Sequence, residues 1–257
     1  MKLAKNEYYK CTRPDLTSFH DAKTRWDEGS EVRLPAITHP KLCTHDVLHA
    51  SRTPLDALKY GKIPCAMSLV RGIPVVEDYD KSGFFRLEVI RNIPVSEYDG
   101  LFGFRYSEVV NPVDPCDVDI RTVTKKDKQL LREWASVRDF VRASVRDSVW
   151  SPVWSFVWDS VADSVWASVR DFVWDSVRDS VWSPVWSSVT DSVWAYTGSL
   201  FPNVKDWKYA PKSDGYPYAC AVKLWKRGLI PVQSGEKWKL YHPVRGKLAV
   251  LMYEEAR

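Results

Sequence analysis

The chain lacks several features that would have placed it quickly. It has five cysteines in 257 residues, an odd and scattered set (Cys11, Cys43, Cys65, Cys116 and Cys220). They show no disulfide rhythm, which fits a reducing, cytoplasmic setting. No run of roughly 18 apolar residues exists, so a membrane span is not expected. The opening Met-Lys-Leu-Ala-Lys-Asn-Glu holds no apolar stretch of signal-peptide length. Charge of one sign is also missing: the formal net charge is only +4. Cys43, His45 and His49 could contribute to a zinc site, but their spacing matches no standard finger and no second Cys pair follows, so no metal is expected.

What is present is a repeat. Fifteen valines stand four residues apart, from Val137 to Val193, in units of Ser-Val-(Trp/Arg)-(Asp/Ser/Ala). Ser136–Asp163 aligned on Ser168–Ala195 gives 22 identities in 28 positions, a 32-residue duplication. Phe140, Phe156 and Phe172 stand 16 apart, and Pro152 and Pro184 stand 32 apart. On one continuous α-helix, a four-residue step drifts the valine stripe by about 40° per unit. Over fifteen units no buried face survives, and Val, Ser, Asp, Trp and interior Pro are poor helix material. The expectation is therefore a four-sided β-solenoid of 16 residues per coil, with Val inside and Ser/Asp at corners.

In that geometry the residue after each Val faces outward. Arg138, Trp154, Arg170 and Trp186 would form one column, and Trp150, Trp166 and Trp182 another. Such a wall would staple the coils or serve as a binding surface for a protein partner. The repeat carries eight Asp against five Arg, net −3, too weak for convincing mimicry of a phosphate backbone.

The expected organisation is 1–134 as an α+β module with a linking helix, 135–196 as the solenoid, and 197–257 as a basic, aromatic-rich α+β cap. In the first module, strands are expected at Glu7–Cys11, Ala66–Leu69, Phe84–Ile90 and Phe102–Val109. Turns are expected at Lys81–Gly83 and Tyr98–Gly100. Thr53-Pro-Leu-Asp56 reads as a helix start, with Thr53 as N-cap and Pro54 at N1. Thr124 is a second N-cap, with Asp127 three residues on. In the last module, Ala219–Arg227 reads as a helix stopped by Gly228, followed by a hairpin of Lys237–Tyr241 and Leu248–Tyr253.

Leu48-His49-x4-Pro54-Leu55-Asp56, after Lys-Leu-Cys43, resembles a "Cys…Gly-Phe-His…Asn-Pro-Leu-Asp" signature of small uncharacterised phage and prophage modules. Tyr9-Lys10 and Trp26-Asp-Glu-Gly29 match further steps of that pattern, while Val47-Leu48 replaces the usual Gly-Phe. The resemblance spans about Tyr8 to Pro94 and implies a phage accessory protein in the host cytoplasm, with no activity to carry over. Leu48-His49-Ala-Ser51-Arg52 before a helix is also similar to the His-Gly-(Ser/Thr) motif of ADP-ribosyltransferases. That likeness implies NAD as cofactor, with His49 orienting its ribose, Tyr60 or Tyr79 as the aromatic, and Glu88 or Glu108 as the acid. Here the Gly after His is Ala.

Three functions follow as expectations. The first is a non-enzymatic interaction or scaffold protein without a cofactor. The second is an NAD-dependent transferase using His49, Tyr60 and Glu88. The third is a nucleic-acid binder using the C-terminal cap. Residues 200–257 hold eleven basic and five acidic side chains, net +6. The same cap could also support a homodimer.

Overall fold

The computed structural model describes residues 3–149, 153–164, 182–245 and 247–256, without the side chains of 182–185, 247 and 248. The chain divides into two compact units, Met1–Tyr106 and Ser107–Arg257.

The first unit is built on two antiparallel sheets. One has the order β1-β4-β7-β2, from Glu7–Thr12 (β1), Glu31–Arg33 (β2), Ala66–Arg71 (β4) and Arg86–Ile93 (β7). The other has the order β3-β6-β5, from Leu48–Ala50 (β3), Val76–Glu77 (β5) and Ser82–Phe84 (β6). A reciprocal pair of hydrogen bonds joins the sheets: Tyr9 N donates to Ser51 O (2.7 Å) and Ser51 N to Tyr9 O (2.9 Å). Tyr8, Trp26, Ala50, Val70, Phe84, Leu87 and Val89 form the core between them.

The Thr53 signal acts as read. Its side chain accepts from Asp56 N, and α1 runs Pro54–Leu58. Two turn readings move. The β5–β6 turn spans Asp78–Lys81, closed by Asp78 N donating to Lys81 O, so Ser82 and Gly83 are already strand. Tyr98–Phe102 is a helix (α2) that stops at Gly103, whose φ of 77° is left-handed. A second short helix, α3 (Tyr106–Val110), follows. The strand expected at Phe102–Val109 is therefore absent, and Asp99 Oδ1 accepts from Tyr106 N at the start of α3.

The second unit contradicts the solenoid. Lys125–Val137 is helical (α4), as are Val141–Ser148 (α5), residues 153–164 (α6) and Trp182–Gly198 (α7). Ala219–Lys226 (α8) precedes an antiparallel sheet of order β10-β9-β8, from Ile230–Ser234 (β8), Lys237–Val244 (β9) and Lys247–Ala256 (β10). Among the described residues, no helix is long and apolar enough to cross a membrane.

Drift of the valine stripe rules out one continuous rod, and the chain is not one. A 3-10 turn at Arg138–Phe140 separates α4 from α5, and extended Val149 (ψ 133°) ends α5. Each helix is short enough to keep its stripe. Across α6 the valines drift by only about 80°, within the roughly 100° of a buried face. Val141, Val145, Val149, Val153, Val157, Val161, Val189 and Val193 are all buried. In helical register the Ser of the next unit lies three residues after each Val, on the same face. That is why Ser144, Ser188 and Ser192 are buried beside the valines. Two of these hydroxyls are satisfied: Ser192 Oγ donates back to Ser188 O (3.1 Å), and Ser188 Oγ accepts from Gln233 N (3.2 Å). The 32-residue duplication reappears as two equivalent helices, since residues 153–164 correspond to 185–196. Pro184 is the third described residue of α7.

The caps at the edges of this unit follow their sequence signals. Thr124 and Asp127 make both bonds of a capping box. After α8, Gly228 turns left-handed (φ 72°), with Gly228 N on Trp225 O and Leu229 N on Leu224 O. The expected C-terminal hairpin is present as β9–β10, longer than read.

Candidate functional site

The residues of the Leu48–Asp56 segment converge on a cavity in the first unit. The Tyr9–Ser51 pairing sets β3 beside β1, so Lys10 lies against His49: Lys10 Nζ donates to His49 O at 2.9 Å. On the other side, β3 pairs with β6, His49 opposite Gly83. A Cβ at Gly83 would meet Val47 Cγ2 and Val76 Cγ1 at 2.7 Å, so the close approach requires glycine. The Asp78–Lys81 turn then carries Asp80 and Lys81 to the end of α1. There the Tyr60 hydroxyl donates to Asp80 Oδ1 at 2.8 Å, and Lys59 Nζ reaches Asp80 Oδ2 at 3.3 Å.

The resulting cavity is about 230 Å³, and its walls include Lys10, His20, Cys43, His49, Tyr60 and Lys81, with no carboxylate among them. A neighbouring hollow of about 430 Å³ shares Lys10, His20, Cys43 and His49 and adds Trp26, His45 and Asp21. Asp21 is already engaged: Thr24 Oγ1 and the Lys23 and Thr24 amides donate to it. Those bonds, the Thr24 hydroxyl first, hold its carboxyl down at about 2.

The electrostatics are cationic. Lys81 is 7% exposed, and its Nζ stands 2.6 Å from Cys43 Sγ and 4.3 Å from the Tyr60 ring centroid. Lys10 lies 4.7 Å from the Trp26 ring centroid, and burial pulls its ammonium down to about 8. Asp21 acts on Lys10 and Asp80 on Lys81 from nearby, the Asp80 carboxylate itself being bound by Lys59 and Tyr60. Burial, then the nearby Lys10, Lys81 and His20, depress His49 to about 4. His49 Nε2 accepts from Cys43 N (3.1 Å), which places the neutral ring's proton on Nδ1. The His20 and His45 rings share a 2.5 Å contact between Nε2 and Nδ1. Trp26 lines the larger hollow, and its buried indole N–H has no acceptor among the described residues. No group of three His, Cys, Asp or Glu able to hold a metal ion occurs among the described residues.

Of the transferase residues, His49 and Tyr60 share this cavity, whereas Glu88 does not line it. Glu88 is exposed on β7, opposite Glu31 and Arg71 in the ladder. Tyr79 is 89% exposed beside the cavity, with Lys59 Nζ 5.4 Å from its ring. Glu108 belongs to the second unit, where it pairs with Lys226. The meeting of Lys10, Lys81 and Cys43 is not announced by the sequence, because they lie 33 to 71 residues apart. The usable sequence signal was Tyr9-Lys10 and Cys43 flanking the His49 motif.

The proposed wall residues sit differently from the columns. Arg138 points inward, its side chain 12% exposed: Nε contacts Asp191 Oδ2 at 2.5 Å, NH1 donates to Gln233 Oε1, and the guanidinium lies over Trp238. Trp154 stacks on Trp158 of its own helix (5.4 Å between ring centroids) and on Trp194 of α7 (4.5 Å). Residues four apart are neighbours on a helix, where a solenoid would have stacked residues sixteen apart. Trp186 lies on α7; Trp150, Trp166, Arg170 and the Trp182 side chain fall outside the described residues. In the basic C-terminal segment, Lys226 pairs with Glu108, Arg227 with Asp127, and Lys237 and Lys239 with Glu254. No protein-family model, no curated protein and no solved structure matches the chain.

Proposed function

We propose that the chain is a ligand-binding accessory protein whose first unit takes a small phosphate-bearing anion of the nucleotide class. One observation carries this reading: two lysines and two histidines line a cavity that contains no carboxylate. Asp21 and Asp80 act on these lysines from nearby without pairing with them, and an anion seated between Lys10 and Lys81 would supply a direct counter-charge. Tyr60 and the exposed Tyr79 offer rings for a base, and the Trp26 N–H offers a donor for an acceptor group. The cavity is near the small end of ligand sites, which suits a mononucleotide or a phosphate end.

Isothermal titration with inorganic phosphate, AMP, ATP and NAD, at low and high salt, tests this. Binding should weaken with salt and fall about ten- to hundredfold in Lys10→Met or Lys81→Met, the usual worth of a hydrogen bond to a charged group. Affinity should also decline as pH rises through about 8, where Lys10 loses its charge in the free protein. Absence of binding by all four anions, or binding indifferent to both lysines, overturns the reading.

A second reading, transfer of ADP-ribose from NAD, draws support from His49 and Tyr60 lining one cavity. Release of nicotinamide that disappears in His49→Ala would favour it. The exposed position of Glu88 argues against that outcome.

A further inference from the structure

The contact between Cys43 and Lys81 has no part in anion binding, although Lys81 itself does. Cys43 is the exposed cysteine of the five; Cys11, Cys65 and Cys220 are buried and Cys116 is partly so. Burial pushes the Cys116 thiol up to about 12 and the Cys220 thiol to about 11, which holds both protonated and unreactive. Cys43 instead opens on both hollows. Its backbone is held at φ 62°, a left-handed conformation unusual for a side-chain-bearing residue. The loop around it is pinned: Cys43 N donates to His49 Nε2, Thr44 Oγ1 donates to Lys41 O, and Asp46 N donates to Thr44 Oγ1. Strained backbone of this kind concentrates where a side chain must be aimed. Lys81, more than nine-tenths buried, is aimed at the sulfur from the opposite wall, 2.6 Å away. Tyr9, Cys11, Tyr60, His49, Lys10, His20, His45 and Asp21 are the other titratable groups lining the two hollows.

We propose that Cys43 and Lys81 are a peroxide-responsive covalent latch across the mouth of the cavity, closing as a sulfur–nitrogen bond between the two side chains. The contact is closer than the roughly 3–3.5 Å of a near-attack arrangement, so no chain movement is needed to bring the atoms together. In the first step the sulfur attacks one oxygen of hydrogen peroxide. An S–O bond forms, the O–O bond breaks, and water leaves, giving the sulfenic acid. In the second step Lys81 Nζ, as the free amine, attacks the sulfur. An S–N bond forms, the S–O bond breaks, and the hydroxyl leaves as a second water carrying one amine proton. Sulfur gives up two electrons and peroxide takes them. A thiol reverses the link by attacking the same sulfur. Closing the latch removes the Lys81 charge and crosses the cavity, so it releases any anion held there; this consequence, unlike the link itself, rests on the proposed function.

The test treats the full chain with limiting hydrogen peroxide and then maps tryptic peptides by mass. The expected product is a species about 2 Da lighter, in which the peptide containing Cys43 is joined to the one containing Lys81 and cleavage at Lys81 is lost. Dithiothreitol should restore both peptides. Lys81→Met and Cys43→Ser should each abolish the joined species, while circular dichroism confirms that both variants fold. Three outcomes overturn the proposal: Cys43 advancing to sulfinic acid without linkage, a joined peptide pairing Cys43 with another cysteine, or unchanged peptides. Phosphate titration before and after oxidation separates the two ideas. Linkage without loss of anion binding leaves the latch standing and removes its regulatory role. Absence of anion binding in either state removes the ligand reading alone.

Discussion

Asp191→Ala should destabilise the second unit by about 3–5 kcal/mol, a large share of the roughly 5–15 kcal/mol that holds a typical domain. Asp191 is 5% exposed on α7 and receives two guanidiniums from the other side of a helix pair, Arg138 and Arg142, each with Nε at 2.5 Å. Burial pushes its carboxyl above the ordinary value, against the pull of both arginines, so the site is expensive to assemble. Removing one partner is worse than never having built it, because Arg138 would stay buried without its carboxylate. Arg142, with its side chain 46% exposed, can turn to water, but Arg138 at 12% cannot. Urea unfolding followed by tryptophan fluorescence measures the effect. Replacing the buried pair by hydrocarbon, Arg138→Met with Asp191→Leu, should recover much of the loss, as buried ion pairs often tolerate such exchange. A cost below about 1 kcal/mol for Asp191→Ala would show that the network is solvated and not part of the core.

The second large effect is on pH dependence and comes from His49. Its ordinary value is 6.5, and burial, with Lys10, Lys81 and His20 nearby, holds it at about 4 in the folded chain. The folded state therefore keeps the ring neutral where the unfolded chain protonates it. Stability from this group is fully present above about pH 6.5 and is lost as pH falls toward about 4, because there the unfolded state binds the extra proton. The ring is only partly buried, so solvent screening holds the loss in the first unit to on the order of 1–3 kcal/mol. Carboxylates titrate over part of the same range, so the decisive comparison is with His49→Gln. Its amide oxygen can still accept from Cys43 N, but it has no proton to gain. Urea midpoints from pH 7 down to 4.5 should fall more steeply in the parent chain than in the variant. Parallel curves would mean that His49 protonates in the folded state without penalty.

Both effects depend on contacts that the sequence only partly discloses. Thr53 with Pro54 and Thr124 with Asp127 announced their helices because caps are local: the donor and acceptor lie within three residues. Gly228 announced its helix end for the same reason. The pairing of His49 with Tyr60 was half legible, since strand and helix adjoin in the chain and one turn brings both side chains to the same cavity. Glu88 was not, because its assignment required knowing which face of β7 looks toward β3.

The tetrad repeat marks the boundary between the two kinds of information. By itself it determined that Val lies inside: of the valines whose side chains are described, those from Val141 to Val193 are buried and Val137 is partly so. A four-residue period fits a short side of a coil and a short helix equally well, and local propensity favoured the coil. What decided for helix was tertiary: breaks at Arg138–Phe140 and Val149 reset the drifting stripe, and packing against the C-terminal sheet and neighbouring helices buries the resulting Ser-Val face. Burial of an amphipathic face outweighs the few tenths of a kcal/mol per residue that propensity contributes. The same packing turned Asp191 inward and supplied Arg138 and Arg142 to meet it, a pairing across 53 and 49 residues that no local rule can announce.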